Sequence, residues 1–149
     1  MFCILREAKG MDINMMKINW ENRSEINSLY IHDSTFEGLV YDYANRQILL
    51  KCINYYAKKN FDIIFENVIF CNIQSCNFWG EGKNILVIYL DDDEVQLKKF
   101  IEIQNSNSHD YNGSKLAQNV KYIQVGIDIN SGDQIFIGCE CVEYNESSF

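Results

Sequence analysis

Proline is absent from this 149-residue sequence, histidine occurs twice, and no apolar run approaches the length of a membrane span. The strongest apolar stretch, Ile85-Leu86-Val87-Ile88-Tyr89-Leu90, falls far short of the roughly 20 residues a spanning helix needs. No signal peptide is expected, because Arg6, Glu7 and Lys9 interrupt the apolar start Met1-Phe2-Cys3-Ile4-Leu5. The expected compartment is therefore the cytoplasm. There the six cysteines read as reduced thiols rather than a disulfide framework. The Asn-x-Ser triplets at Asn22, Asn112 and Asn145 then carry no glycosylation meaning. Missing proline beside abundant Asn and Ile reads as the base composition of an AT-rich bacterial genome.

Basic residues are the minority: 13 Lys and Arg against 21 Asp and Glu give a net charge of −8. Such a surface repels phosphate backbones and anionic headgroups, so neither nucleic acid nor membrane is an expected partner. It attracts a basic protein and speeds the encounter. Catalytic motifs are missing too. Gly80-Glu81-Gly82-Lys83 lacks the Gly-Lys-Ser/Thr ending of a phosphate loop. No dinucleotide fingerprint, paired carboxylates or nucleophile motif appears, so the chain is expected not to be an enzyme and to use no cofactor.

What the sequence has instead is a ladder of short alternating segments. From Thr35 onward, apolar and polar residues alternate between breaks rich in Asn, Asp, Ser and Gly. Phe36–Tyr43, Gln47–Tyr55, Phe61–Glu66 and Val68–Ile73 read as strands. Ile85–Leu90 reads as a central strand buried on both faces. Val95–Gln104 fits a helix face of Leu97, Ile101 and Gln104, but its β-branched content favours a strand. Val120–Ile129 and Gln134–Val142 flank Asn130-Ser131-Gly132-Asp133, a hairpin turn. Before the ladder, Ser24 is placed to cap a short helix carrying Ile26, Leu29 and Tyr30. Met15-Met16-Lys17 reads as a possible native start. Residues 1–18 are accordingly expected to be a poorly ordered or peripheral extension, and residues 19–149 one β-rich domain. Residues 145–149 are expected to fray. The fold class is mainly β: an antiparallel meander curled or folded into two packed layers, with at most one or two short helices.

Each candidate site has a plain structural reading beside it. Cys139 and Cys141, two apart on a strand, would face one side, and with Cys71 and Cys76 would supply four thiolates. The spacing is wrong for a zinc knuckle, and buried small side chains are the preferred reading, so no metal is expected. His32, Asp33 and Ser34 hold the residue types of a serine triad. Sequence neighbours cannot make that relay, and a hydrogen-bonded turn explains them. Asp91, Asp92, Asp93 and Glu94 form an acidic run without the Gly of a calcium loop, and read as a solvated turn or a patch for a basic partner. Trp79 beside two glycines reads as core packing, or as an aromatic anchor for a partner.

Several short stretches recur in one order: His32-Asp33-Ser34-Thr35, Phe65-Glu66-Asn67-Val68, Phe78-Trp79-Gly80 and Asn130-Ser131-Gly132-Asp133. In this the chain resembles small bacterial β-rich proteins of unknown function, some of them similar to immunity proteins of polymorphic toxin systems. The resemblance implies a non-enzymatic protein that binds and neutralises a cognate toxin, which the net charge of −8 makes basic, and it carries over no catalytic residue. The expected binding residues are Asp91, Asp92, Asp93, Glu94, Trp79, His32 and Asp33. The alternatives are a small-molecule or carbohydrate-binding module, which requires a sizeable concave apolar pocket, and a structural homo-oligomer. An exposed edge strand would favour a homodimer.

Overall fold

The computed structural model describes residues 3–8, 11–75, 80, 82–106 and 120–149. The strands are β1 (Cys3–Ala8), β2 (Met11–Ile18), β3 (Thr35–Asp42), β4 (Gln47–Asn54) and β5 (Lys59–Glu66). They continue with β6 (Phe70–Gln74), β7 (Ile85–Leu90), β8 (Ile123–Ile129), β9 (Gln134–Cys139) and β10 (Cys141–Ser148). A 3-10 helix, Arg23–Ser28, follows β2, and one α-helix, α1, spans Val95–Ser106. Two antiparallel sheets result, a six-stranded one ordered β1-β2-β10-β5-β4-β3 and a four-stranded one ordered β6-β9-β8-β7.

Alternation builds both layers. Phe61, Ile63 and Phe65 on β5 and Ile48, Leu50 and Cys52 on β4 are buried on one face. Ile123, Val125 and Ile127 on β8 and Ile135 and Ile137 on β9 join them in one continuous core. The β8–β9 turn forms as its residues predict. Gly132 has φ +93°, and its N–H donates to Ile129 O at 2.9 Å. The Ser131 hydroxyl donates to Asp133 Oδ2 at 3.0 Å.

Four expectations are corrected. Val95–Ser106 is a helix rather than a strand. Leu97 is buried, and Phe100 meets Phe70 with ring centroids 5.7 Å apart, so the apolar residues recur at helical spacing. Ile85–Leu90 is an edge strand, with Leu86 45% and Val87 43% exposed. The strand covered on both faces is β8, because α1 lies over its outer side. Its outward residues, Gln124, Gly126 and Asp128, gave it the alternation of a half-exposed strand. The Tyr89 ring covers Gly126 so closely that a Cβ there would stand 2.3 Å from the ring. Cys139 and Cys141 do not share a face. Chain direction breaks at Glu140, and the two belong to β9 and β10, one in each sheet. Residues 145–148 do not fray: β10 pairs with both β2 and β5, and the Phe149 N–H donates to Lys58 O at 3.1 Å.

The expected boundary between 18 and 19 falls at the end of β2, where Ile18 is fully buried and opposite Val142. At the 3-10 helix, Asn22 rather than Ser24 takes the N-cap position, without a side-chain capping bond. Ile26 and Leu29 are buried there, and Tyr30 is exposed.

Candidate functional site

Cross-strand pairing arranges the inner face of the large sheet in rows. Ile18, Val142, Phe65 and Ile48 stand side by side, and none is exposed. One step on, Met16, Tyr144, Ile63 and Leu50 form a second row. The third row holds Asn14, Glu146, Phe61 and Cys52, and beyond it Lys59 pairs with Asn54. Burial thus gives way to polarity along one face.

At that end a pocket of about 590 Å³ opens. Its apolar walls include Met16, Leu29, Phe61 and Tyr144, and its polar groups include Lys59 and Glu146. No residue of β6–β9 lines it, so it lies past the end of the small sheet. The Phe61 and Tyr144 rings lie 5.9 Å apart. The Lys59 ammonium pairs with Glu146 Oε1, and the Tyr144 hydroxyl donates to Glu146 Oε2 at 3.1 Å. Burial, then the Glu146 charge, push the Tyr144 phenol above its usual range, so it remains a neutral donor.

One edge strand of each sheet, β7 and β3, is finished differently. The β7 edge is capped by the chain that precedes β3. Asp33 N–H donates to Ile85 O at 2.9 Å, Ile85 N–H to Ser34 O at 2.8 Å, and Leu90 N–H to Asn27 Oδ1 at 2.9 Å. His32 Nδ1 lies 2.5 Å from Leu86 O. The β3 edge is covered only at its start, where Phe36 N–H donates to Lys83 O at 2.8 Å. Past a bulge between Phe36 and Gly38, β3 has β4 on one side and, among the described residues, no strand on the other. Val40, Tyr41 and Tyr43 are exposed there by 59%, 47% and 79%, and the two tyrosine rings meet edge to face at 6.0 Å. The strand carries Glu37 and Asp42 and no basic residue.

The residues singled out from sequence are dispersed. His32 and Asp33 belong to the capped β7 edge, where Asp33 takes φ +62°. They make an ion pair at 3.4 Å when the imidazole is charged. Asp91 is tied into the fold: its Oδ2 accepts from Gln124 Nε2 at 2.7 Å, and Gln124 Oε1 accepts from Leu97 N–H at 2.9 Å. The carboxylate thereby sets the start of α1 through a buried amide. Glu94, at φ +50°, ends the same turn, while Asp92 and Asp93 are exposed. Trp79 and Cys76 lie outside the described residues. Among the described residues, no group of three or more His, Cys, Asp or Glu is placed to hold a metal ion.

The thiols of Cys52, Cys71, Cys139 and Cys141 are poor nucleophiles, each raised by burial. Cys141 Sγ donates to Glu66 Oε2 at 2.9 Å, and Lys17 Nζ approaches the same oxygen at 3.2 Å. The thiol's hydrogen bond, and then the lysine, hold the Glu66 carboxyl below its usual range. Burial first, then Glu66, push Cys141 up to about 12. Burial likewise takes Cys52 to about 12.

Sequence reasoning missed Phe61, Tyr144, Lys59 and Glu146 as a group. A signal was present. Lys59 and Glu146 occupy the same alternation as Phe61-Ile63-Phe65 and Val142-Tyr144, so both charges fall on the core side of their strands.

By fold the described residues form a two-sheet antiparallel β-sandwich with one α-helix on its smaller sheet. No protein-family model, no curated protein and no solved structure matches the chain.

Proposed function

We propose that this chain is a non-enzymatic binding protein that takes a basic protein partner, in the manner of immunity proteins of polymorphic toxin systems. The observation that carries the reading is the open β3 edge. Natural sheets blunt free edges with lysine, proline or a covering segment. Here the Val40–Tyr43 stretch has none of these among the described residues, while β7 is capped at both ends. Backbone groups on such an edge take an extended segment by strand addition, and exposed aromatics supply anchors. Glu37, Asp42 and the net charge of −8 favour a segment bearing Lys and Arg.

The test is affinity capture on the immobilised chain and on its Val40→Lys variant, at about 20 and about 500 mM salt. A basic protein held by the wild-type chain at low salt, and lost in the variant, is the expected result. Capture that is indifferent to Val40→Lys, or no capture at either salt, counts against the reading. A second copy of the chain on the same edge would appear instead as a dimer in sedimentation, abolished by the same substitution.

A further inference from the structure

We infer that the pocket over the uncovered end of the large sheet binds an uncharged, ring-containing small molecule that carries an acceptor oxygen. This stands apart from the strand-edge reading and needs no partner protein. A volume of about 590 Å³ suits a ligand of that size. Phe61 and Tyr144 supply ring faces, and Met16 and Leu29 supply an adaptable apolar wall.

The polar floor argues for a site rather than a flaw in the core. Lys59 and Glu146 lie on the inward alternation of two neighbouring strands. The Lys59 side chain is 41% exposed and that of Glu146 17%, so the pair is reachable from the pocket rather than sealed in the core. The pair also selects the ligand. Its two charges cancel, so a net charge on the ligand would face a competing like charge as it left water. An ammonium has three donors, and Glu146 takes one of them. The Tyr144 hydroxyl spends its proton on Glu146. What the floor offers is therefore N–H donors on Lys59, which a carbonyl or hydroxyl oxygen satisfies without disturbing the ion pair.

The experiment is saturation-transfer NMR on the full chain with four probes sharing one ring: benzamide, benzyl alcohol, benzoate and benzylamine. Benzamide and benzyl alcohol are expected to bind at about millimolar Kd, the range for fragments of this size, and to shift the Met16 methyl resonance. The charged pair should bind at least about fivefold more weakly. Ala57→Trp, at an exposed turn residue on the lining, should abolish the signals by filling the pocket. Lys59→Met keeps the stem and removes the donors, and should weaken benzamide about fivefold. Equal binding of the charged probes, signals that survive Ala57→Trp, or no binding by any of the four overturns the proposal.

Discussion

The large sheet is one alternating pattern with two outcomes. Under the small sheet, the row Ile18-Val142-Phe65-Ile48 is sealed on every side. Two rows further on, the same inward positions hold Asn14 and Glu146 beside Phe61, and the face opens to solvent. One edge strand of each sheet differs likewise: β7 is capped at both ends, while β3 past its bulge is bare among the described residues. Covering, rather than strand formation, separates the part of this protein that holds it together from the part free to bind.

Truncating one phenylalanine in each region should give the widest contrast. Phe65→Ala, in the sealed row, is expected to cost about 3–5 kcal/mol in urea unfolding. Phe61→Ala should cost about half as much, because the space it leaves merges with an existing pocket. Equal losses would mean the two ends are packed alike. Next comes Gln124→Leu. It strands the Asp91 carboxylate and the Leu97 N–H, and should cost about 1–3 kcal/mol with faster amide exchange through α1. At the capped edge, Asn27→Ala removes the acceptor for Leu90 N–H and should cost about 1 kcal/mol. Val40→Lys on the bare edge should change stability by no more than about 0.5 kcal/mol while stopping partner capture.

The pH limbs of stability should belong to the opposite face of the large sheet, where part-buried Cys141 pairs with Glu66. Cys141 is raised from 9.0 to about 12 on folding. A raised acid contributes fully below its unfolded value, so its contribution is present below pH 9 and is lost as pH rises toward 12. Glu66 has the opposite sign: its contribution is present above 4.5 and is lost as pH falls through its lowered folded value. Cys141→Ser should flatten the alkaline fall in a pH series of urea midpoints. An unchanged fall would assign it to other groups.

The mainly β class and two packed layers were legible because β4, β5, β8 and β9 alternate cleanly and Gly132 marks a turn. What misled was covering by other elements, which no local pattern records. Ile85–Leu90 is apolar throughout yet lies at an edge, whereas β8 shows Gln124, Gly126 and Asp128 outward yet is roofed by α1 and Tyr89. Helix α1 is β-branched enough to read as a strand, and its position is set by Gln124, a residue distant in sequence. For the site, the inward charges at 59 and 146 were visible in each strand alone. That they meet depends on the β5–β10 register, which neither strand specifies by itself.

Strand β10 has a kinetic consequence. Among the described residues it is the one strand that pairs with both the β1-β2 ribbon and the β3-β4-β5 meander. Each of those pieces can form early from neighbouring sequence. The full sheet cannot close until β10 inserts between them, joining segments from opposite regions of the sequence. Such non-local closure raises the contact order and slows folding. The pocket shares this seam: Glu146 comes from β10, Lys59 and Phe61 from β5, and Met16 from β2. Its assembly therefore requires β10 to be in place, and a ligand seated there would act as a clasp on that insertion.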